Sequence, residues 1–271
     1  MDKIAFVILT WNSGKVIKDC LESILGIQEQ EYEIIIVDNG SADDTVSILD
    51  NFRKENPAVI MKIILLEKNY GTTISRNEGI RNAADDSNYI CILDSDTVIN
   101  QDAINELIAG LNNDPGNAIS GPHMVNLYGE EQVTAKKIPT AKLKICKAFP
   151  LRAVQKIGEQ DEKYDFSKGE RFYPVGYLIS ACWMFRRDLP ESIGPLDENI
   201  FYSPEDVEYC VRAWKKGLRV IYCPEAHIIH ATQRISKKKL VSRHNWEHLK
   251  GLMYFFGKYR LFWNSDKIKI K

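Results

Sequence analysis

Asp94-Ser95-Asp96 places two carboxylates two residues apart, directly after the apolar run Tyr89 to Leu93. If the chain turns there, both can face one cleft. Hard divalent cations take such ligands, and Mg2+ commonly binds one or two carboxylates together with phosphate oxygens. An isolated pair of this kind is more often a solvated turn, so its neighbours decide. Asn12, Asp38 and Asn69 also follow apolar runs closely. A second acidic pair, Glu205-Asp206, follows Ser203-Pro204 at the start of a helical pattern. Its spacing fits a capping box, with Ser203 at the N-cap and Asp206 at N3 in place of the usual Glu. Spacing alone favours that cap over the other reading, a general base that takes a proton from a hydroxyl nucleophile. His227 and His230 read either as packed or solvated histidines or as metal ligands. His244-Asn245-Trp246-Glu247-His248 matches H-x-x-E-H, a zinc-peptidase pattern and the rival from a different class.

These residues need elements to hold them. Ile4–Thr10, Glu33–Val37, Val59–Leu66 and Tyr89–Leu93 are short apolar runs. Between them Val16, Cys20, Leu21, Ile24 and Leu25, then Val46, Leu49 and Phe52, then a stretch from Thr73 to Ala84, recur at helical spacing. Ile104, Leu107, Ile108 and Leu111 mark another helix. Apolar strands alternating with amphipathic helices predict a mostly parallel sheet covered on both faces. Ligands then bind outside the carboxyl ends of the strands, where Asn12, Asp38, Asn69 and Asp94 should converge. Farther on, 126–170 has few patterns and reads as a mobile segment. Gly176–Arg186 reads as one buried strand, Ser203–Lys216 as a helix, Leu218–Cys223 as a short strand and 239–262 as a helical, aromatic stretch.

Absent motifs narrow the chemistry. No G-x-x-x-x-G-K-[ST] loop occurs, and no G-x-G-x-x-G follows the first strand. A phosphate would therefore be neutralised by metal rather than cradled by glycines, which argues against P-loop nucleotidases and NAD-type dehydrogenases. A sugar nucleotidyltransferase would share the sheet and the metal. It usually carries a Gly-rich basic stretch after the first strand, where this chain has only Trp11-Asn12-Ser13-Gly14-Lys15.

Val7-Ile8-Leu9-Thr10-Trp11-Asn12, Ile36-Val37-Asp38-Asn39-Gly40-Ser41, Ser75-Arg76-Asn77-Glu78-Gly79 and Leu93-Asp94-Ser95-Asp96 occur in that order. Gly194-Pro195-Leu196-Asp197-Glu198, Glu205-Asp206 and His230 follow. The series resembles family 2 glycosyltransferases of the GT-A fold, with a similarity to rhamnosyltransferase-like members that build bacterial cell-surface polysaccharides. The resemblance implies an α/β GT-A domain over 1–233, with a nucleotide-binding half (1–98) and an acceptor half (99–233), and a C-terminal helical extension over 234–271. It implies an inverting transfer of a sugar from a dTDP-, UDP- or GDP-linked donor to a glycan or polyprenyl-diphosphate-linked hydroxyl. Asp38 would bind the nucleobase with Trp11 packing nearby, and Asp94 would sit by the ribose. Arg76 would contact the nucleotide, and Thr10, Asn12 and Asn69 would complete that pocket. Asp96 would hold Mg2+ or Mn2+, joined by His230. Asp206 would be the base and Glu205 a supporting acid. The chain has Thr72-Thr73-Ile74-Ser75 where family members often carry small residues before Arg-Asn.

The 271 residues are 44% apolar and 27% charged, with a formal net charge of −1. That charge is uneven: 11 Lys/Arg stand against 2 Asp/Glu from Arg234 to Lys271. Basic and aromatic residues there suit an anionic membrane surface, a packed C-terminal helix or an oligomer contact. No recognised nucleic-acid module is present, so no nucleic-acid partner is expected. The six cysteines form no C-x-x-C pair and read as buried free thiols in a reducing cytosol. No signal-peptide pattern opens the chain, and no run of about 18 apolar residues exists to span a membrane. The expected location is cytoplasmic, either free or peripheral on the inner membrane face.

Overall fold

The computed structural model describes residues 1–148, 162–231, 243–265 and 268–270. The first half alternates as the sequence predicts: β1 (Lys3–Thr10), α1 (Ile17–Leu25), β2 (Glu31–Asp38), α2 (Thr45–Glu55), β3 (Met61–Leu65), α3 (Thr72–Arg81) and β4 (Tyr89–Asp94). A two-residue β5 (Thr97–Val98) and α4 (Gln101–Asn112) come next. Asn100 caps α4, its side chain accepting from the Ala103 amide at 2.8 Å. The second half holds β6 (Asn117–Val125), β7 (Glu131–Gln132), β8 (Ala135–Lys136), α5 (Ala141–Ala148), β9 (Tyr173–Pro174), β10 (Tyr177–Leu178) and β11 (Cys182–Arg186). It ends with α6 (Leu189–Ile193), α7 (Glu205–Lys215), β12 (Arg219–His230) and α8 (Arg243–Tyr259).

The main sheet runs β3-β2-β1-β4-β11-β6-β12-β5. Its first four strands are parallel, and β11 then lies antiparallel to both β4 and β6, so the far half is mixed. Side chains alternate between two buried layers, as the two-residue period of a strand requires. Ile4, Phe6 and Ile8 of β1 face a core completed by α1, α2 and α4. Ala5 and Val7 face the other, which α3, α7 and α8 complete.

Four sequence expectations need correction. β6 is a central strand that pattern reading missed, because Ser120, Gly121 and Pro122 interrupt its apolar run. Ser120 is tolerated because its hydroxyl donates to the Leu107 carbonyl at 2.9 Å. The run Gly176–Arg186 is not one strand but β10 and β11, broken at Ile179–Ala181. The short strand expected to end at Cys223 continues to His230 through an irregularity between Cys223 and His227. Within 126–170, the segment expected to be mobile contains β7, β8 and α5, while 149–161 lies outside the described residues.

α8 is integral to the second core. Phe255, Phe256 and Tyr259 are buried there with Val207, Tyr209 and Val211 of α7. Buried Glu208 accepts hydrogen bonds from Lys258 at 2.8 Å, Tyr259 at 2.7 Å and Arg212 at 3.0 Å, so its charge is compensated where it would otherwise be costly. The basic stretch that includes Lys237-Lys238-Lys239 lies outside the described residues.

Candidate active site

Register alone aligns the carboxyl ends. Thr10 lies opposite Asp38, and Leu9 lies between Val37 and Asp94. Asp38 is 2% exposed and engaged from several sides. Its Oδ1 accepts from Thr10 at 2.8 Å and from the Ser41 hydroxyl at 2.6 Å, and its Oδ2 accepts from the Ser41 amide at 2.9 Å. Asn12, at φ 52°, accepts from the Ala42 amide at 2.8 Å and donates its own amide to Ser41 at 2.8 Å. Trp11 is 46% exposed beside this loop. Asn69 is drawn in through Asn39, whose Nδ2 donates to Asn69 Oδ1 at 3.1 Å. Thr10, Asn12, Asp38 and Asn69 thus form one polar rim along β1, β2 and the loop after β3.

Asp94 ends β4, where its amide donates to the Ala181 carbonyl at 2.8 Å. Asp96 meets His230 by strand pairing: His230 of β12 lies opposite Thr97 of β5, and the Ala231 amide donates to the Asp96 carbonyl at 2.8 Å. His230 Nε2 is 3.4 Å from Asp96 Oδ1. Ligand atoms of Asp94, Asp96 and His230 all lie within 4.8 Å of one another, and no other such group of His, Cys, Asp and Glu occurs among the described residues. Two carboxylates and an imidazole are a donor set that can hold a divalent cation. Burial disfavours the His230 imidazolium, but the hydrogen bond and charge of Asp96, with Asp94, outweigh it and raise its pKa. His227 lies elsewhere, its ring edge-on to His123 at 5.1 Å.

Arg76 is 2% exposed on α3, and its guanidinium lies under the acidic groups. Nη2 donates to Asp94 Oδ1 at 2.7 Å and to the Ser180 carbonyl at 3.0 Å, and Nη1 donates to Glu205 Oε1 at 3.0 Å. The unusual residues before it have a structural role. The Thr72 amide donates to the Phe201 carbonyl at 2.7 Å, and the Thr73 hydroxyl to the Ile200 carbonyl at 2.6 Å. Gly71, at φ 94°, permits this approach, since a Cβ there would run into the Phe201 carbonyl oxygen. Asn77 continues the clamp, donating to the Leu196 carbonyl at 2.9 Å and accepting from its amide at 2.9 Å.

The capping-box alternative fails. α7 has Pro204 at its cap and no side-chain cap bond. Asp206 Oδ1 accepts instead from the next amide, Val207, at 2.8 Å. Glu205 is 6% exposed and held by Arg76 and by the Ser180 hydroxyl at 2.9 Å. Burial and the neighbouring Asp206 charge raise its pKa to about 7 against the pull of Arg76. Burial also raises the Asp206 pKa, opposed by the Val207 amide and by Lys136 and Lys144. Asp94, His230, Arg76, Glu205 and Asp206 line one cavity of about 270 Å³, with Tyr202, Ser180 and Thr72. In the sequence Tyr202 and Ser180 carry no motif, and Thr72 stands out only as a departure before Arg76-Asn77. Ser180-Ala181, two small residues interrupting an apolar run, was the available signal for Ser180.

Glu247 and His248 of the H-x-x-E-H pattern ride on α8 and do not belong to the metal-competent group, while the side chain of residue 244 is outside those described. All six cysteines are free, five of them buried. Among the described residues no helix is long and apolar enough to cross a membrane.

A family model described as glycosyl transferase family 2 matches residues 5–194. The chain is 30% identical over 223 residues to the poly-beta-1,6-N-acetyl-D-glucosamine synthase of Staphylococcus aureus, covering 72% of this chain and 52% of that protein. It is 37% identical over 103 residues to the synthase of the same name from Staphylococcus epidermidis, 38% of this chain and 24% of that one. The chain thus spans about half the length, or less, of these curated relatives. Among solved structures, GalNAc-T7 with UDP, GalNAc and Mn2+ superposes with a TM-score of 0.71 at 16% identity, over 95% of this chain and 48% of that one. The mannosyltransferase PcManGT from Pyrobaculum calidifontis, in complex with GDP-Man and Mn2+, gives 0.65 at 16% identity, over 95% and 64%. S. aureus TarS 1-349 with UDP gives 0.59 at 19% identity, over 84% and 60%. At these identities the likeness is one of fold, and the fold is GT-A.

Proposed function

The chain belongs to glycosyl transferase family 2, and on that premise we propose that it moves a sugar from a nucleotide-diphosphate donor to a hydroxyl of a glycan or lipid-linked acceptor, inverting the anomeric carbon. The observation that carries this reading is the shared cavity, lined by Asp94 and His230 together with Glu205 and Asp206. Donor and acceptor chemistry can meet in one cleft.

Asp96 and His230, with Asp94 beside them, would hold Mg2+ or Mn2+. The bound ion would supply positive charge against the leaving diphosphate. The two carboxylates suit either ion, and two structural neighbours are complexes with Mn2+. Asp38, Thr10, Asn12, Asn69 and Trp11 would bind the nucleotide along the strand-end rim. Arg76 would hold Asp94 in place beneath it.

Asp206 is the better base of the acidic pair. Glu205 is committed to Arg76 and Ser180, whereas Asp206 makes only the Val207 amide bond among the described residues. A carboxylate of raised pKa is a stronger base once ionised. Asp206 would accept the acceptor proton as that oxygen attacks from the face opposite the diphosphate. A single displacement inverts, and no carboxylate nucleophile is required.

The exposed side of α8 carries Trp246, Leu249 and Met253, with Phe262 and Trp263 beyond it and Ile145 on the adjoining α5. Exposed Lys250 and Arg260 accompany this apolar row. Such a face suits the headgroup level of an anionic bilayer, where a lipid-linked acceptor would be presented. This supports a peripheral location on the membrane.

The test is a thermal-shift panel of UDP-, GDP- and dTDP-sugars with and without Mn2+, followed by NMR of the product anomer. UDP-N-acetylglucosamine is the first donor to try, given the names of the curated relatives. A metal-dependent shift with one nucleotide class and an inverted product are expected. A retained configuration overturns the mechanism, and no shift with any donor overturns the activity.

A further inference from the structure

Gln132 lies 98 residues before His230 and makes two contacts with it. Its Nε2 donates to the His230 backbone carbonyl at 2.8 Å, and its Oε1 lies 2.9 Å from His230 Nδ1. The two contacts read each other. A carbonyl oxygen can only accept, so the amide nitrogen must be the group facing it. The amide oxygen therefore faces the ring, and because it too can only accept, Nδ1 must carry a proton. In neutral imidazole the lone pair is then on Nε2, the nitrogen beside Asp96.

The backbone supports the same arrangement. Gln132 sits on β7, paired with Met124 of β6, and β6 pairs in turn with β12, which carries His230. β12 reaches Asp96 through β5. The imidazole is thus held on its Nδ1 side by a side chain from one hairpin, while its Nε2 side meets the acidic turn.

We propose that Gln132 is a positioning residue for the metal centre, fixing His230 in the Nδ1–H tautomer so that Nε2 is presented to a divalent cation shared with Asp94 and Asp96. This rests on the reading of those three residues as metal ligands. Residues that orient a ligating histidine typically change metal affinity 10–100-fold when removed. Gln132→Met keeps the length of the side chain and removes both polar contacts. Gln132→Glu keeps an acceptor for Nδ1–H and loses the donor to the carbonyl.

The experiment uses the full chain in two measurements. Mn2+ titration followed by EPR reads affinity, and 1H–15N NMR of histidine-labelled, metal-free protein at alkaline pH reads the His230 tautomer. The wild type should show Nδ1–H. Gln132→Met should lose that single tautomer and bind Mn2+ about 10–100-fold more weakly, while Gln132→Glu should retain the tautomer and recover part of the affinity. An Nδ1–H signal and an Mn2+ affinity both unchanged in Gln132→Met would overturn the proposal. If Gln132→Met does not fold, a loss of the Nδ1–H tautomer in Gln132→Glu overturns it instead. Asp96→Ala and His230→Ala separate the premise: if neither weakens Mn2+, the metal site itself is wrong, and if both do while Gln132→Met does not, only the role of Gln132 falls.

Discussion

Arg76 Nη2 donates to Asp94 Oδ1 at 2.7 Å, tying the third helix to the end of the fourth strand at the wall of the cavity. The same guanidinium holds Glu205 at 3.0 Å. One buried cation therefore couples the acidic turn on the metal side to the acidic pair on the acceptor side. Removing it leaves two carboxylates facing one another with no compensating charge. Arg76→Met should cost about 3–5 kcal/mol of stability, the range for breaking a buried ion pair, and should abolish turnover. Arg76→Lys should rescue little, because an ammonium cannot reproduce a fork that reaches Asp94, Glu205 and Ser180 together. Urea denaturation and a transfer assay check both; wild-type behaviour of Arg76→Lys would show that the fork is dispensable.

Asp206→Asn removes the proposed base with little change of shape. Turnover should fall about 10²–10⁴-fold, with nucleotide-sugar binding kept within a factor of a few. Isothermal titration beside the transfer assay separates these effects. Unchanged turnover would remove Asp206 from the role.

Glu205 and His230 predict how the metal-free protein responds to pH. Burial and Asp206 raise Glu205 from an ordinary 4.5 to about 7. The folded state then binds more protons than the unfolded state between those values, so stability falls as pH rises through that window. His230, raised by Asp96 against burial, acts in the same direction: its contribution is present below the usual histidine pKa and lost as pH passes its raised value. The melting temperature of the metal-free protein should therefore drop from about pH 5 to pH 8, and Glu205→Gln should flatten the lower part of that slope. Added Mn2+ should stabilise more at pH 8 than at pH 6, because a ligating imidazole must be unprotonated. Melting curves across this range, with and without Mn2+, check the sign.

Gly251 of α8 packs against the Ser203 carbonyl, which a Cβ at that position would strike. This contact braces the backbone just before Glu205-Asp206. Gly251→Val should destabilise by about 1–3 kcal/mol, as overpacking does, and should lower kcat more than it raises KM. Steady-state kinetics and thermal melting test it; loss of stability with kcat intact would confine Gly251 to packing.

The exposed row on α8 is testable without truncation, which would remove the buried Phe255, Phe256 and Tyr259 as well. Trp246→Ser combined with Trp263→Ser should keep the fold and reduce recovery with anionic liposomes in flotation. Equal recovery of variant and wild type would sink the membrane-surface reading.

The order of apolar runs and the polar residues after them were enough to read an α/β sheet with a ligand edge. β1, β2 and β4 are buried on both faces along most of their length, so Ile4–Leu9, Ile34–Val37 and Tyr89–Leu93 are apolar without interruption, and Asp38 and Asp94 stand out just past those runs. Local signals of that kind survive in one dimension. β6 did not, because its Ser120 and Gly121 are satisfied only by distant partners: the Leu107 carbonyl for the hydroxyl, and Leu178 filling the space a Cβ would occupy. The same limit hid Ser180, Tyr202 and Gln132. What separates His230 from His227 is a strand pairing, Thr97 against His230, that closes 133 residues of chain, and the clamp from Gln132 is another contact of that reach. The sequence by itself determined the family and the residue types available for chemistry, since both depend on short-range pattern and order. The tertiary structure decided which of those residues share a cavity, which groups flank the His230 ring and which acid of the Glu205-Asp206 pair is engaged, since each depends on partners that only the folded sheet brings within 3 Å or so of one another.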